Sequence, residues 1–133
     1  MKLLTTLILL LLPALAVGAD NPEGAAIHFD QKAHDFGTIA ENGGHVSHEF
    51  EFTNTGDAPL MILNATASCG CTRPDFPKKP VKAGKKGKIK VTYLPKGRPG
   101  EFEKTVTVKT NAKGQKKVTL RIKGFVTPAQ QPQ

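Results

Sequence analysis

Cys69-Gly70-Cys71 sets the only two cysteines of the chain one residue apart, and this pair has the clearest claim to chemistry in the sequence. Two thiols at that spacing can close a disulfide, exchange electrons with partner thiols, or offer soft ligands to a metal. A bridge between residues i and i+2 closes a very small loop, so on the chain-entropy account it stabilises less than a long-range one. In an extended strand such residues stand about 6.5–7 Å apart, the upper limit for a disulfide, and bonding needs a bend that Gly70 can supply. For redox exchange, Arg73 and the lysines after it would favour a thiolate. No βαβ pattern or helix start of the kind that activates Cys-X-X-Cys accompanies the pair, so catalysis is not expected.

A metal would need more ligands than the two thiols. His28, His34, His45 and His48 have no ligand spacing to one another or to the cysteines. No metal or other cofactor is therefore expected, and if one bound, Cys69, Cys71 and His48 would be the residues to hold it. His48 shares an apolar row with Val46, Phe50 and Phe52, which marks it as a core or rim side chain. His28, His34 and His45 read as surface groups. The simplest reading of the pair is local structure, either a small disulfide loop or two inert thiols at the rim of a sheet.

Charge is the second feature. The formal net charge is +8, yet it is unevenly spread: from Asp20 to Thr72 eight acids face Lys32 alone, while Arg73 to Gln133 holds seventeen basic residues against Asp75, Glu101 and Glu103. The densest basic run spans Lys78 to Lys90, and Lys86, Lys88 and Lys90 should project from one sheet face as a candidate basic binding surface. Lysines on a small β protein also preserve solubility and discourage edge pairing. With one tyrosine and no tryptophan, the sequence offers little stacking platform for nucleic acid. The partner to expect is an envelope or extracellular protein or a polyanion, not nucleic acid. Glu49 and Glu51 could form an acid–base pair, but their alternation fits a solvated strand face better. No nucleophile elbow or phosphate-cradling glycine loop is present.

These residues must be positioned by β structure. Met1-Lys2, the apolar run Leu3 to Leu12, the breaker Pro13 and the small residues Val17-Gly18-Ala19 have the zones of a secretory signal, with cleavage expected after Ala19. The chain then has no later run able to span a bilayer, and the expected destination is a periplasm or the exterior. After the signal the apolar period is two. Val46 to Thr53 alternates, as do Lys88 to Tyr93, Phe102 to Val108 and Val118 to Ile122. Met61, Leu63, Ala65, Ala67, Cys69 and Cys71 fall in one register. Pro74, Pro77 and Pro80 predict a loop from Arg73 to Lys82. Lys104 breaks an inner row, which predicts a bulge or an edge there. Asn111 to Gly114 reads as a hairpin turn, and Ile27 to Phe29 and Phe36 to Ile39 add short strands.

Short connections between about seven such strands predict an all-β, immunoglobulin-like antiparallel β-sandwich over residues 20–126, after a signal at 1–19 and before a disordered tail at 127–133. Five motifs in order, Phe36-Gly37-Thr38-Ile39, Phe52-Thr53-Asn54-Thr55-Gly56, Ser68-Cys69-Gly70-Cys71-Thr72, Arg98-Pro99-Gly100 and Ile122-Lys123-Gly124, resemble the bacterial family known as domain of unknown function 1573. The resemblance runs from about Phe29 to Val126. That family is frequent in exported proteins of the Bacteroidetes type and is similar to the immunoglobulin-like domains of the ciliary Hydin group and of major sperm protein. The resemblance implies the sandwich fold and export, and it implies no reaction, substrate or catalytic residue. The expected role is a binding or assembly module that uses strand edges or its basic face, the alternative being a redox or metal protein centred on Cys69 and Cys71.

Overall fold

Strands of period two fill the structure, a computed structural model that describes residues 24–130. The expected signal at 1–19 and the last three residues of the expected tail lie outside the described residues. In chain order the strands are β1 (Ile27–Phe29), β2 (Ala33–Ala40), β3 (Val46–Asn54), β4 (Ile62–Ala67), β5 (Thr72–Asp75), β6 (Lys86–Tyr93), β7 (Gly100–Thr110) and β8 (Lys117–Thr127). They form two four-stranded sheets, ordered β1-β3-β6-β5 and β2-β8-β7-β4. The architecture is the expected sandwich, with eight strands instead of about seven.

Each sheet turns one row of apolar side chains inward. Phe50, Phe52, Ile89, Val91 and Tyr93 come from one sheet, and Phe102, Val106, Val108, Leu120, Ile122 and Val126 from the other. Fully burying a side chain of this size is worth about 1.5–3 kcal/mol. Tyr93 and Phe102 stack across the sandwich with ring centroids 3.9 Å apart. Gly87 and Gly124 are narrow for a reason: a Cβ on Gly87 would strike the Phe52 ring, and one on Gly124 would stand 2.8 Å from the Phe102 ring.

The loops at one end are bound together by asparagines. Asn54, fully buried, donates to the carbonyls of Ala58 and Val81 at 2.8 and 2.9 Å and accepts the Gly56 N–H at 3.0 Å. Asn111 accepts the Met61 N–H at 2.8 Å and donates to the Pro59 carbonyl. A left-handed Gly84, φ 76°, turns the chain into β6, and its N–H reaches the Asn54 carbonyl.

Three details differ from the sequence reading, and a fourth decides between alternatives it left open. The strands are not all antiparallel, because the chain crosses between sheets after β1 and β2 pairs parallel to β8, with Ala33 opposite Arg121. A register shift between Ile62 and Asn64 in β4 turns Ile62 inward and leaves Leu63 59% exposed, so Met61 and Leu63 do not share the inner row. Part of the expected proline loop is a strand, β5, in which Pro74 pairs opposite Val91. Proline is tolerated there because β5 is an edge strand whose outer side needs no donor. Lys104 does not bulge β7: pairing with β8 is continuous from Gly100 to Lys109, but pairing with β4 ends at Val106, so β7 is an edge on that side at Lys104.

Candidate functional site

The β4 strand leads straight into the Cys-Gly-Cys turn. From Ala58 to Thr72 the sequence carries no charged residue, an unusual run in a chain that is 23% charged. This run supplies an edge, because β4 pairs with β7 on one side only. The Ser68 N–H donates to the Thr105 carbonyl at 3.0 Å, so in the alternation of an antiparallel ladder the N–H and C=O of Asn64, Thr66 and Ser68 face β7 and those of Ala65 and Ala67 face outward. The Ala65 N–H is met by the Asn64 side-chain oxygen at 2.9 Å.

The other edges carry the usual protections against strand addition. β1 has three residues, β2 has Asp35 and an irregularity between Asp35 and Thr38, and β5 has Pro74 between Arg73 and Asp75. Beyond its shift at Leu63, β4 has no charge and no proline.

At the end of this edge the chain reverses. Thr72 N–H donates to the Cys69 carbonyl at 3.1 Å, and Leu94 N–H fixes the Cys71 carbonyl at 2.9 Å. The reversal brings the two Cα atoms to 5.2 Å and the sulfurs to 2.06 Å, which is bonding distance. Cys69 is half-buried at the rim, whereas Cys71 is 1% exposed and belongs to the core. The Cys71 N–H points at the Cys69 sulfur at 3.1 Å, and the Cys71 sulfur lies 3.6 Å from the Thr72 hydroxyl. The bend that pairing requires is therefore present, but Gly70 reaches it without a left-handed φ, and space for a Cβ is open there.

His48 does not join the cysteines. Among the described residues no group of three or more histidines, cysteines and carboxylates is placed to hold a metal. His48 lies instead ring on ring with His34 of β2, centroids 3.7 Å apart and planes 8° from parallel, so His34 is half-buried rather than on the open surface. His28 is exposed beside Asp30 at 3.3 Å, and His45 is exposed in the β2–β3 loop.

Lys86, Lys88 and Lys90 do project from one sheet face, but the face is not simply basic. Lys86 pairs with Glu51 at 3.1 Å and Lys88 with Glu49 at 3.2 Å, while Lys90 stands opposite Glu49 on one side and Asp75 on the other. Exposed pairs of this kind are worth roughly 0–1 kcal/mol each. Six of the lysines outside these ion pairs, Lys78, Lys79, Lys82, Lys85, Lys113 and Lys116, are exposed on the loops at one end of the sandwich. A group the sequence does not single out is Glu41, whose carboxylate accepts the N–H groups of Gly97 and Ala129 at 3.0 Å each, linking three segments at the opposite end. An open trough of 530 Å³ runs over β2, β7 and β8, lined by Asp35, Glu101, Glu103, Lys123 and Phe125 among others. No helix among the described residues is long and apolar enough to cross a membrane.

Comparison with known proteins adds the fold's relatives. The family model described as protein of unknown function (DUF1573) matches residues 27–126. No curated protein matches the chain. Among solved structures, a protein of unknown function from Porphyromonas gingivalis W83 superposes with a TM-score of 0.68 at 12% identity, over 81% of this chain and 50% of that one. This chain thus spans half that protein's length. The ASH/PapD-like domain 7 of human CEP192 gives a TM-score of 0.59 at 17% identity, covering 78% of this chain and 87% of that domain. The periplasmic chaperone SfaE gives 0.52 at 14% identity, over 79% and 59% of the two chains. At these identities the likeness is one of fold.

Proposed function

The chain belongs to the DUF1573 family of proteins of unknown function, and on that footing we propose that it is an exported binding module that holds an extended segment of a partner protein along the β4 edge. The observation that carries this reading is the uncharged, proline-free stretch Asn64 to Ala67, with the outward carbonyl of Ala65, the outward N–H and carbonyl of Ala67 and the exposed Leu63 beside it. A strand added there gains ladder hydrogen bonds for affinity, and alternate side chains set selectivity. Natural edges are normally blunted by charge or proline, so one that carries neither from Asn64 to Ala67 fits a surface kept for pairing.

Export is supported by the signal-like pattern of residues 1–19. Protein capture gains support from the PapD-like fold, which this chain shares with a periplasmic chaperone. In an oxidising compartment Cys69 and Cys71 would be held as a disulfide. The balanced charges around Lys86, Lys88 and Lys90 make the edge, not that face, the main contact.

The test is NMR of the Cys69→Ala, Cys71→Ala protein with an uncharged, capped Thr-Val-Thr-Val-Thr peptide. Shifts are expected at Ala65 and Ala67, with slowed amide exchange at Ala67. Binding that maps to another edge, or none at millimolar peptide, would remove the reading.

A further inference from the structure

The edge strand ends two residues before a half-buried sulfur whose partner is fully buried, and from this we infer that the Cys69–Cys71 pair is a reversible covalent latch for a cysteine-bearing segment docked on β4. The inference rests on the β4 reading and deepens it by naming the partner's chemistry.

The two sulfurs are unequal. Cys71 is 1% exposed among core side chains, its carbonyl held by Leu94, whereas Cys69 sits at the rim. An arriving thiolate therefore meets the half-buried Cys69 and not the core-buried Cys71. Its attack forms a partner–Cys69 disulfide and breaks the Cys69–Cys71 bond, and Cys71 leaves with the electron pair and takes a proton from solvent. The partner sulfur is oxidised and the Cys71 sulfur reduced, so the disulfide itself is the oxidant and nothing further is consumed. Cys71 stays anchored in the core two residues away, so once it gives up that proton its thiolate attacks Cys69, breaks the partner–Cys69 bond, restores the ring and releases the partner as a thiolate. The small ring suits this use better than it suits a staple, since a loop between residues two apart constrains the unfolded chain little.

Location selects the partner. Ala67 is the last residue of β4 and Ser68 is still bonded to β7, so a segment running antiparallel along β4 brings its amino-terminal end beside Cys69. Docking raises the local concentration of the thiol there above that of a free thiol. A cysteine at the start of an uncharged extended segment is the substrate class.

The experiment uses the purified oxidised protein with two thiols at equal concentration, reduced glutathione and the peptide Cys-Thr-Val-Thr-Val-Thr. Acid quenching, alkylation and peptide mass mapping locate the adduct and the freed thiol. The expected result is adduct on Cys69 and alkylation on Cys71, formed by the peptide on the order of tenfold faster than by glutathione. In Leu63→Lys and Ala65→Pro proteins the ratio of the two rates should fall toward one. The Leu63 change is on an exposed side chain and keeps the test valid should the proline variant fail to fold. Adduct on Cys71, or no adduct with either thiol, would overturn the latch, and the β4 reading would then stand or fall separately by peptide binding to the cysteine-free protein. Glutathione attack on Cys69 with no advantage for the peptide would overturn the proposed partner class, and docking on β4 would again be decided by peptide binding to the cysteine-free protein.

Discussion

His34 and His48 lie face to face across the seam between the two sheets, each with its ring edge-on to a phenylalanine of its own strand, Phe36 and Phe50. The stack explains a shift in titration. Burial lowers the His48 pKa from its ordinary value near 6.5, and the adjacent His34 lowers it further, against the opposing pull of Glu49. A folded-state value below the unfolded one means the unfolded chain binds more protons, so the stability from this site is present above about pH 6.5 and is lost as pH falls through the folded value. An NMR titration should place the His48 midpoint below that of a free histidine, and His34→Gln should move it upward. A wild-type midpoint at or above the free value would contradict the stack.

Asn54 is a single side chain that satisfies two loop carbonyls and accepts at least one loop N–H. Asn54→Ala leaves those groups without partners in a buried site, which costs about 1–3 kcal/mol for each group that water cannot reach. Urea unfolding should show a loss of roughly 2–4 kcal/mol with an unchanged slope. A loss below about 0.5 kcal/mol, the range of ordinary surface changes, would show that water replaces the amide easily.

The glycines are not equivalent. Gly87→Ala pushes a methyl group into the Phe52 ring and should cost about 1–3 kcal/mol through overpacking. Gly70→Ala meets nothing within 4 Å and requires no left-handed backbone, so it should leave the melting temperature nearly unchanged despite lying between the cysteines. A calorimetric scan of both variants checks the ordering. A large loss at Gly70 and none at Gly87 would reverse it.

Reducing Cys69 and Cys71 should leave the protein folded. For a loop this short the chain-entropy estimate is roughly 1–2 kcal/mol, well under the 4–5 kcal/mol of a bridge spanning about a hundred residues. Thermal melts with and without a phosphine reductant should therefore differ by about 5–10 °C, with a cooperative transition kept in both. Collapse of the fold on reduction would assign the pair a structural role that ring size does not predict.

The central rows of the sandwich were legible because period two is a local property. Phe50 and Phe52 in β3, Ile89 and Val91 in β6, and Val118, Leu120 and Ile122 in β8 all point inward as their alternation predicts. What escaped depends on neighbours. Pro74 forbids a ladder bond only where one is required, and the edge position of β5 cannot be read from the residues around it. The shift at Leu63 is set by pairing with β7 across Thr110 and Lys109, far along the chain. Lys86 and Lys88 were visible as one row, but the carboxylates that balance them come from β3. His34 looked like a surface group because its partner, His48, belongs to the other sheet. The cysteine pair could be singled out by spacing, and its asymmetry could not, since that follows from the tie between Cys71 and Leu94.

The parallel pairing of β2 with β8 also governs when the molecule can become itself. Thr127 bonds to the Ile39 carbonyl 88 residues earlier, and Arg121 N–H reaches Lys32, so the second strand has its lateral partner only once the eighth has been made. Contacts this distant along the chain slow folding, because the entropy of closing so long a loop must be overcome before the contacts stabilise anything. A chain still being synthesised can form the β3–β6 ladder but leaves β2 without a lateral partner until β8 has been made. Completion of the second sheet is thus tied to the synthesis of β8, whatever has formed before it.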